Sequence, residues 1–181
     1  MKRTFTFALA LAWCVAGIQA ATLERLSLDE MIAQSTSIVQ GKVTAAWAAF
    51  SGPVIYTHYK VEVSQQLKGT GSPSIEVVVP GGTANNLRQT FAGAPELKTG
   101  EEYVLMLWTG KSGATQIIGL TQGLFSIPKD AGSNALATRS ASREPMIERT
   151  TGRAVKDETL IMHLSELRAR IAGNSGGAKA Q

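Results

Sequence analysis

Few side chains in this chain could do chemistry, and their spacing argues against most of it. Gly173-Asn174-Ser175-Gly176-Gly177 has the form of a serine-nucleophile loop. Such a serine needs a rigid loop, histidine and aspartate partners and an oxyanion hole, and this run falls in a terminal tail. Gly110-Lys111-Ser112 ends like a phosphate-binding loop, but the required first glycine falls at Leu105, inside an apolar run. No helical pattern follows it to present amides to a phosphate, so it reads as a hairpin turn. A metal centre needs clustered His, Cys or carboxylates, whereas His58 and His163 each stand alone. His58 falls on the polar side of a strand pattern and His163 beside a helical stripe. Glu101 and Glu102 are neighbours on a strand and point to opposite faces, so they form no acid–base pair. Glu101 reads as the support of a turn. These residues predict a non-catalytic chain with no metal and no cofactor.

One segment remains. Residues 80–100 are rich in Gly, Asn, Thr and Pro. Gly81 and Gly82 allow a close backbone approach, Asn85 and Asn86 offer amide donors and acceptors, and Arg88 can hold a carboxylate or phosphate with two parallel bonds. Binding residues concentrate on loops held by a rigid scaffold. Leu87, Phe91 and Leu97 are the apolar anchors expected to order this loop, with Phe91 and Leu97 packed over one end of the β structure. Gly81, Gly82, Asn85, Asn86 and Arg88 are therefore the predicted ligand-binding residues. The other long connection, 128–152, is rich in Ser, Ala, Arg and Thr and has fewer anchors. It reads as a mobile linker whose Arg143, Glu144, Glu148 and Arg149 are solvated.

The elements that must position the loop follow from periodicity. Ser27 and Glu30 form a capping box, with Leu26 and Met31 as its hydrophobic staple, so a short helix is expected from Leu28 to about Gln34. It would plug one end of the β structure. From Ser37, Val39, Gly41, Val43, Ala45 and Trp47 alternate with Gln40, Lys42, Thr44 and Ala46, the period of a half-buried strand. After Ser51-Gly52-Pro53, Ile55, Thr57, Tyr59, Val61 and Val63 alternate with His58, Lys60, Glu62 and Ser64. Further strands are expected over Ser74–Val79, Glu102–Trp108, Thr115–Leu120 and Leu124–Ile127, bounded by Gly and Pro signals. An amphipathic helix is predicted from about Lys156 to Ala172. Leu160, Leu164, Leu167 and Ile171 form its stripe, Arg168 and Arg170 complement its carboxyl end, and Gly173 stops it.

The amino terminus and the charge set the compartment. Lys2 and Arg3 precede an apolar run, Phe5 to Ala16, and then small residues up to Ala20-Ala21. That order reads as a secretory signal peptide cleaved after Ala20. Cys14 is the only cysteine, and bulky Trp13 before it spoils a lipobox, so it is discarded with the leader. Of 18 basic residues two lie in the leader, and 18 − 2 = 16 against 14 acidic leaves about +2. No block of like charge points to nucleic acid or an anionic membrane. The expected organisation is signal peptide 1–20, β domain 21–127, linker 128–152, helix 153–173 and disordered tail 174–181.

The middle of the chain, about residues 28 to 127, resembles a family of small exported bacterial proteins whose function is uncharacterised. The matching pieces are Ile38-Val39-Gln40-Gly41-Lys42-Val43, Tyr59-Lys60-Val61-Glu62-Val63, Leu67-Lys68-Gly69 and Pro80-Gly81-Gly82. They continue through Gly93-Ala94-Pro95 and Gly100-Glu101-Glu102-Tyr103-Val104-Leu105 to Gln122-Gly123-Leu124-Phe125. The layout is also similar to the OB-type barrel of netrin-like and metalloproteinase-inhibitor domains. Those inhibitors chelate their target's zinc with an amino-terminal cysteine, whereas the expected mature chain here begins Ala21-Thr22-Leu23. Five or six short antiparallel strands with one helix before and one after imply a mainly β, small closed or nearly closed barrel, with a two-sheet sandwich as the competing architecture; the resemblance implies that the barrel is OB-like. The function expected is an exported binding module for a protein, peptide or glycan, periplasmic or secreted. The alternative is an inhibitor or regulator of a secreted hydrolase.

Overall fold

A computed structural model of the chain describes residues 22–128 and 134–176. The expected signal peptide over 1–20, with its cleavage site and Cys14, lies outside the described residues, as do 129–133 and the end of the tail. After β1 (Leu23–Glu24) comes α1 (Leu28–Gln34), with both halves of the capping box formed between Ser27 and Glu30. Its carboxyl end is closed from a distance. Lys68 Nζ donates to Ile32 O at 2.5 Å and Ala33 O at 3.0 Å, a cation where the helix dipole is negative.

β2 (Ser37–Ser51) and β3 (Val54–Lys68) form a long hairpin, followed by β4 (Ser74–Pro80). Its turn has Gly52 at φ +60, and Pro53 after it has a ring-fixed negative φ; that sign order is the one of a type II′ turn. The 80–100 segment carries its own small hairpin, β5 (Gly82–Ala84) and β6 (Leu87–Gln89). β7 (Glu102–Thr109) and β8 (Thr115–Ile117) flank the Gly110–Gly113 turn, and a 3-10 turn, Leu120–Gly123, leads into β9 (Leu124–Ile127). Then come β10 (Leu136–Arg139), β11 (Met146–Ile147), β12 (Ala154–Val155), β13 (Leu160–His163) and α2 (Leu164–Gly176). The main sheet runs β13-β10-β9-β7-β2-β3-β4, with β8 also on β7; β1, β11 and β12 form a second, small sheet. The fold is thus mainly antiparallel β with two helices. Among the described residues no helix is long and apolar enough to cross a membrane.

β7 explains the layering. Tyr103, Leu105 and Leu107 join one apolar cluster with Val39, Val61 and Val77, whereas Val104 and Met106 join another with Phe125 and Ile127. Leu28, Met31 and Ile32 of α1 and Leu164, Leu167 and Ile171 of α2 cover the second cluster. A strand buried on both faces must be apolar throughout, and Tyr103 to Trp108 is an unbroken apolar run.

The structure corrects four expectations. No barrel closes. β7 gives one part of its outer edge to β8 (Leu107–Thr109) and the other to β9 (Glu102–Leu105), so the sheet continues into β10 and β13. β4 approaches β8 without a ladder, and Pro95, which has no amide hydrogen, lines the gap with Val79 and Ile117. Second, α1 does not plug an end; it lies on a sheet face beside α2. The two helices are tied by Arg170, which donates to Asp29 Oδ1 and Oδ2 at 2.8 Å each, and by Asn174 at 2.8 Å.

Third, the segment 128–152 is not a plain linker. β10 lies inside the main sheet with Ala137 fully buried, and Arg139 is buried against Asp157. Arg149 pairs with Glu24, beside the pairing of β1 with β11. Fourth, the helix begins at Leu164 rather than near Lys156, and runs past Gly173 to Gly176. Leu160–His163 is a strand because β10 offers it an edge, a partner beyond the reach of a periodicity argument. Arg168 and Arg170 therefore sit mid-helix, and Gly173–Gly176 is helix, not a nucleophile loop and not part of a disordered tail.

Asp29 reports on the link between the helices. The Arg170 hydrogen bond, then that of Asn174, holds its carboxyl below the ordinary 3.8. A carboxyl held low contributes stability that is present above its unfolded value and lost as the pH falls through the folded one. Arg170→Gln is expected to raise the Asp29 midpoint toward 3.8 in an NMR titration of the side-chain carboxyl. An unchanged midpoint would mean the two helices are not joined this way in solution.

Candidate functional site

The β5–β6 hairpin folds back over the tip of the β2–β3 hairpin, and side chains pin it there. Gln89 Oε1 accepts from Ile55 N–H at 2.6 Å while its Nε2 donates to Pro53 O at 2.9 Å. Gly81 N–H donates to Ile55 O at 2.7 Å, and Thr57 Oγ1 donates to Gly81 O at 2.7 Å. The two glycines are required by this geometry. They take φ +105 and +132, and a Cβ on Gly82 would stand 2.5 Å from Thr57 Oγ1. Gly82→Ala is expected to cost about 1–3 kcal/mol in a denaturant titration; a neutral result would show that the hairpin lifts easily off β3.

Between the hairpin and the β3–β4 sheet lies a cleft of about 350 Å³. Its polar lining includes Thr57, Tyr59, Arg88 and Glu96, and Phe91 and Pro95 supply apolar walls. Burial pushes the Tyr59 phenol above its ordinary value, partly opposed by a hydrogen bond to the Leu97 backbone. Arg88 is exposed and carries no ion pair among the described residues.

The predicted site residues divide. Gly81, Gly82 and Arg88 line the cleft, whereas Asn85 and Asn86 do not. The asparagines are the central pair of the β5–β6 turn at φ +50 and +62, the left-handed pair a type I′ turn requires and asparagine tolerates. Leu97 is buried as expected, but Phe91 is 42% exposed and Leu87 is exposed too. The hairpin is held by Gln89 and the glycine backbone instead. His58 stacks on Trp47 with ring centroids 5.3 Å apart and bonds Glu76 Oε1 at 2.8 Å. Trp47 reaches that outer face because a register shift between Val43 and Ala45 inverts the alternation downstream. Glu102 accepts from Gln40 Nε2 at 2.8 Å and Ser64 Oγ at 3.0 Å, which gives it a structural partner set.

Two larger cavities fall outside the residues that sequence reasoning singled out. One, of about 570 Å³, lies beside Trp108 (47% exposed), with Gln34, Gln116 and Ile118. Its only forewarning was a tryptophan ending an apolar strand. The other, of about 430 Å³, is lined by Arg25, Arg139, Arg149 and Arg170. The last three pair with Asp157, Glu24 and Asp29, and Glu30, Glu148 and Glu158 line the same cavity beside Arg25. The 350 Å³ cleft combines Arg88, without an ion pair among the described residues, with the buried Tyr59 hydroxyl. It contains no nucleophile–base pair. Among the described residues no cluster of three or more metal-ligating side chains occurs. The fold therefore defines a mainly antiparallel β protein with two helices packed on one sheet face. No family model, curated protein or solved structure matches the chain.

Proposed function

We propose that the protein is an exported, non-catalytic binding module that takes a protein, peptide or glycan bearing a carboxylate in the cleft under the β5–β6 hairpin. The observation that carries this reading is the Arg88 guanidinium, without an ion pair among the described residues, over a cleft also lined by Tyr59, Thr57 and Phe91. A guanidinium recognises carboxylates with two parallel bonds, and an aromatic wall beside it takes an apolar stem or a sugar face. The basic, apolar, small order of the first residues supports export.

The reading is tested by titrating the protein calorimetrically with a glutamate-rich hexapeptide and with galacturonate oligosaccharides. At least one probe is expected to bind, and Arg88→Ala is expected to weaken it by about tenfold, ~1.4 kcal/mol. The melting temperature should stay within about two degrees, as for surface substitutions. Equal binding by both proteins would remove the cleft from the function, and a large fall in melting temperature would make Arg88 part of the scaffold.

A further inference from the structure

β2 is paired on both sides only over its first half. Ile38–Lys42 lies between β3 and β7, whereas Ala45–Ser51 has β3 on one side and, among the described residues, no backbone partner on the other. The direction of its unpaired groups follows from Ile55, whose N–H goes to Gln89 and whose C=O goes to Gly81. Both bonds point away from β2, so Ile55 exchanges none with Phe50 opposite. In an antiparallel ladder such open pairs alternate with bonded ones. Phe50–Ile55, Ala48–Thr57 and Ala46–Tyr59 are the open pairs. Ala46, Ala48 and Phe50 therefore aim their N–H and C=O groups out of the sheet.

Exposed edges of this kind are ordinarily guarded by lysine, proline or a covering loop. From Ala45 the chain reads Ala-Ala-Trp-Ala-Ala-Phe-Ser, with no charge and no proline; Gly82 of the β5–β6 hairpin lies against the Ala48 side chain on one face but makes no backbone bond to β2, and Trp47 and Phe50 are 44% and 41% exposed. We propose that this edge pairs with the same edge of a second copy, as two antiparallel β2 strands related by a two-fold axis at Ala48.

The register singles out that occupant. With the axis at Ala48, Ala48 faces its own equivalent and Ala46 faces Phe50 of the second copy. Every edge-facing residue then meets an edge-facing residue, so all their donors and acceptors are used. The same register sets Trp47 against Ala49 and Phe50 against Ala46, each large side chain opposite a small one. Moving the axis to Trp47 would set the two indoles against each other, and a slip of one residue would misalign every bond. A two-fold interface must be complementary to itself, and an uncharged run offers its own copy nothing to repel. The proposal stands independently of the cleft.

Sedimentation across a concentration series, with residue-resolved amide exchange on the same samples, tests it. A reversible dimer is expected. The amides of Ala46, Ala48 and Phe50 should gain protection of about tenfold or more as dimer forms. Those of Trp47 and Ala49, already bonded to β3, should be protected at every concentration. Ala46→Lys, at an exposed position, should weaken the dimer by a similar factor, with an unchanged melting temperature at concentrations where both proteins are monomers. A monomer up to about 1 mM, a dimer whose three edge amides stay unprotected, or an Ala46→Lys dimer as tight as wild type would each overturn the proposal. So would protection of these amides only by an added unrelated strand peptide, which would assign the edge to a foreign partner.

Discussion

Asp157→Ala is expected to lower the unfolding free energy by about 3–5 kcal/mol, the cost of leaving one buried charge without its partner. The Arg139 and Asp157 side chains are 4% and 1% exposed, and Nη2 donates to Oδ1 at 2.6 Å. Asp157 also accepts from Ser142 N–H at 2.8 Å, and Arg139 donates to Glu158 O at 2.8 Å. Removing the carboxylate would strand a guanidinium whose Nε already lacks a partner among the described residues. Replacing both, Arg139→Met with Asp157→Leu, is expected to be far milder, because no buried charge remains. Urea denaturation of the three proteins decides. A loss below about 1 kcal/mol for Asp157→Ala would place the pair in solvent and detach β10 from the sheet.

Phe125→Ala should cost about 3–5 kcal/mol, and Phe91→Ala well under half of that. The two substitutions delete the same atoms from opposite environments. Phe125 is fully buried in the cluster shared by both helices and β7, and Phe91 is 42% exposed at the rim of the cleft. Denaturant midpoints at matched slopes measure the contrast. Equal losses would mean that Phe91 anchors the hairpin after all.

That contrast marks where local reasoning stops. Phe91 and Phe125 both stand among glycines and turn residues, and nothing within a few positions says which meets a helix arriving from far along the chain. The same holds for Leu160–His163. Its apolar residues fit the stripe of the helix that follows, and the edge of β10 turns it into a strand instead. β10 itself was hidden in a segment whose composition resembles a linker, because its support is the distant Asp157 rather than a local pattern. Of the candidate site, Gly81, Gly82 and Arg88 were legible as residues placed together, and the positive φ that requires the glycines was not. Asn85 and Asn86 were legible as residues with a special role, but that role is a turn.

From the amino acids alone came the elements whose causes are local. The capping box at Ser27 and Glu30 starts a helix wherever it is placed, since both orphan amides are satisfied within one turn. The alternation of Ile55 to Ser64 makes a strand with a definite inner face, and the glycine and proline signals end the strands. Tertiary structure decided what those causes do not reach. It determined that the sheet stays open because β8 and β9 share one edge of β7. It shifted Trp47 to the outer face through one displaced residue in a ladder. It also left one edge of the far half of β2 without a strand partner among the described residues. Each of these depends on which backbone edge meets which, a relation between distant segments that no local pattern of side chains encodes.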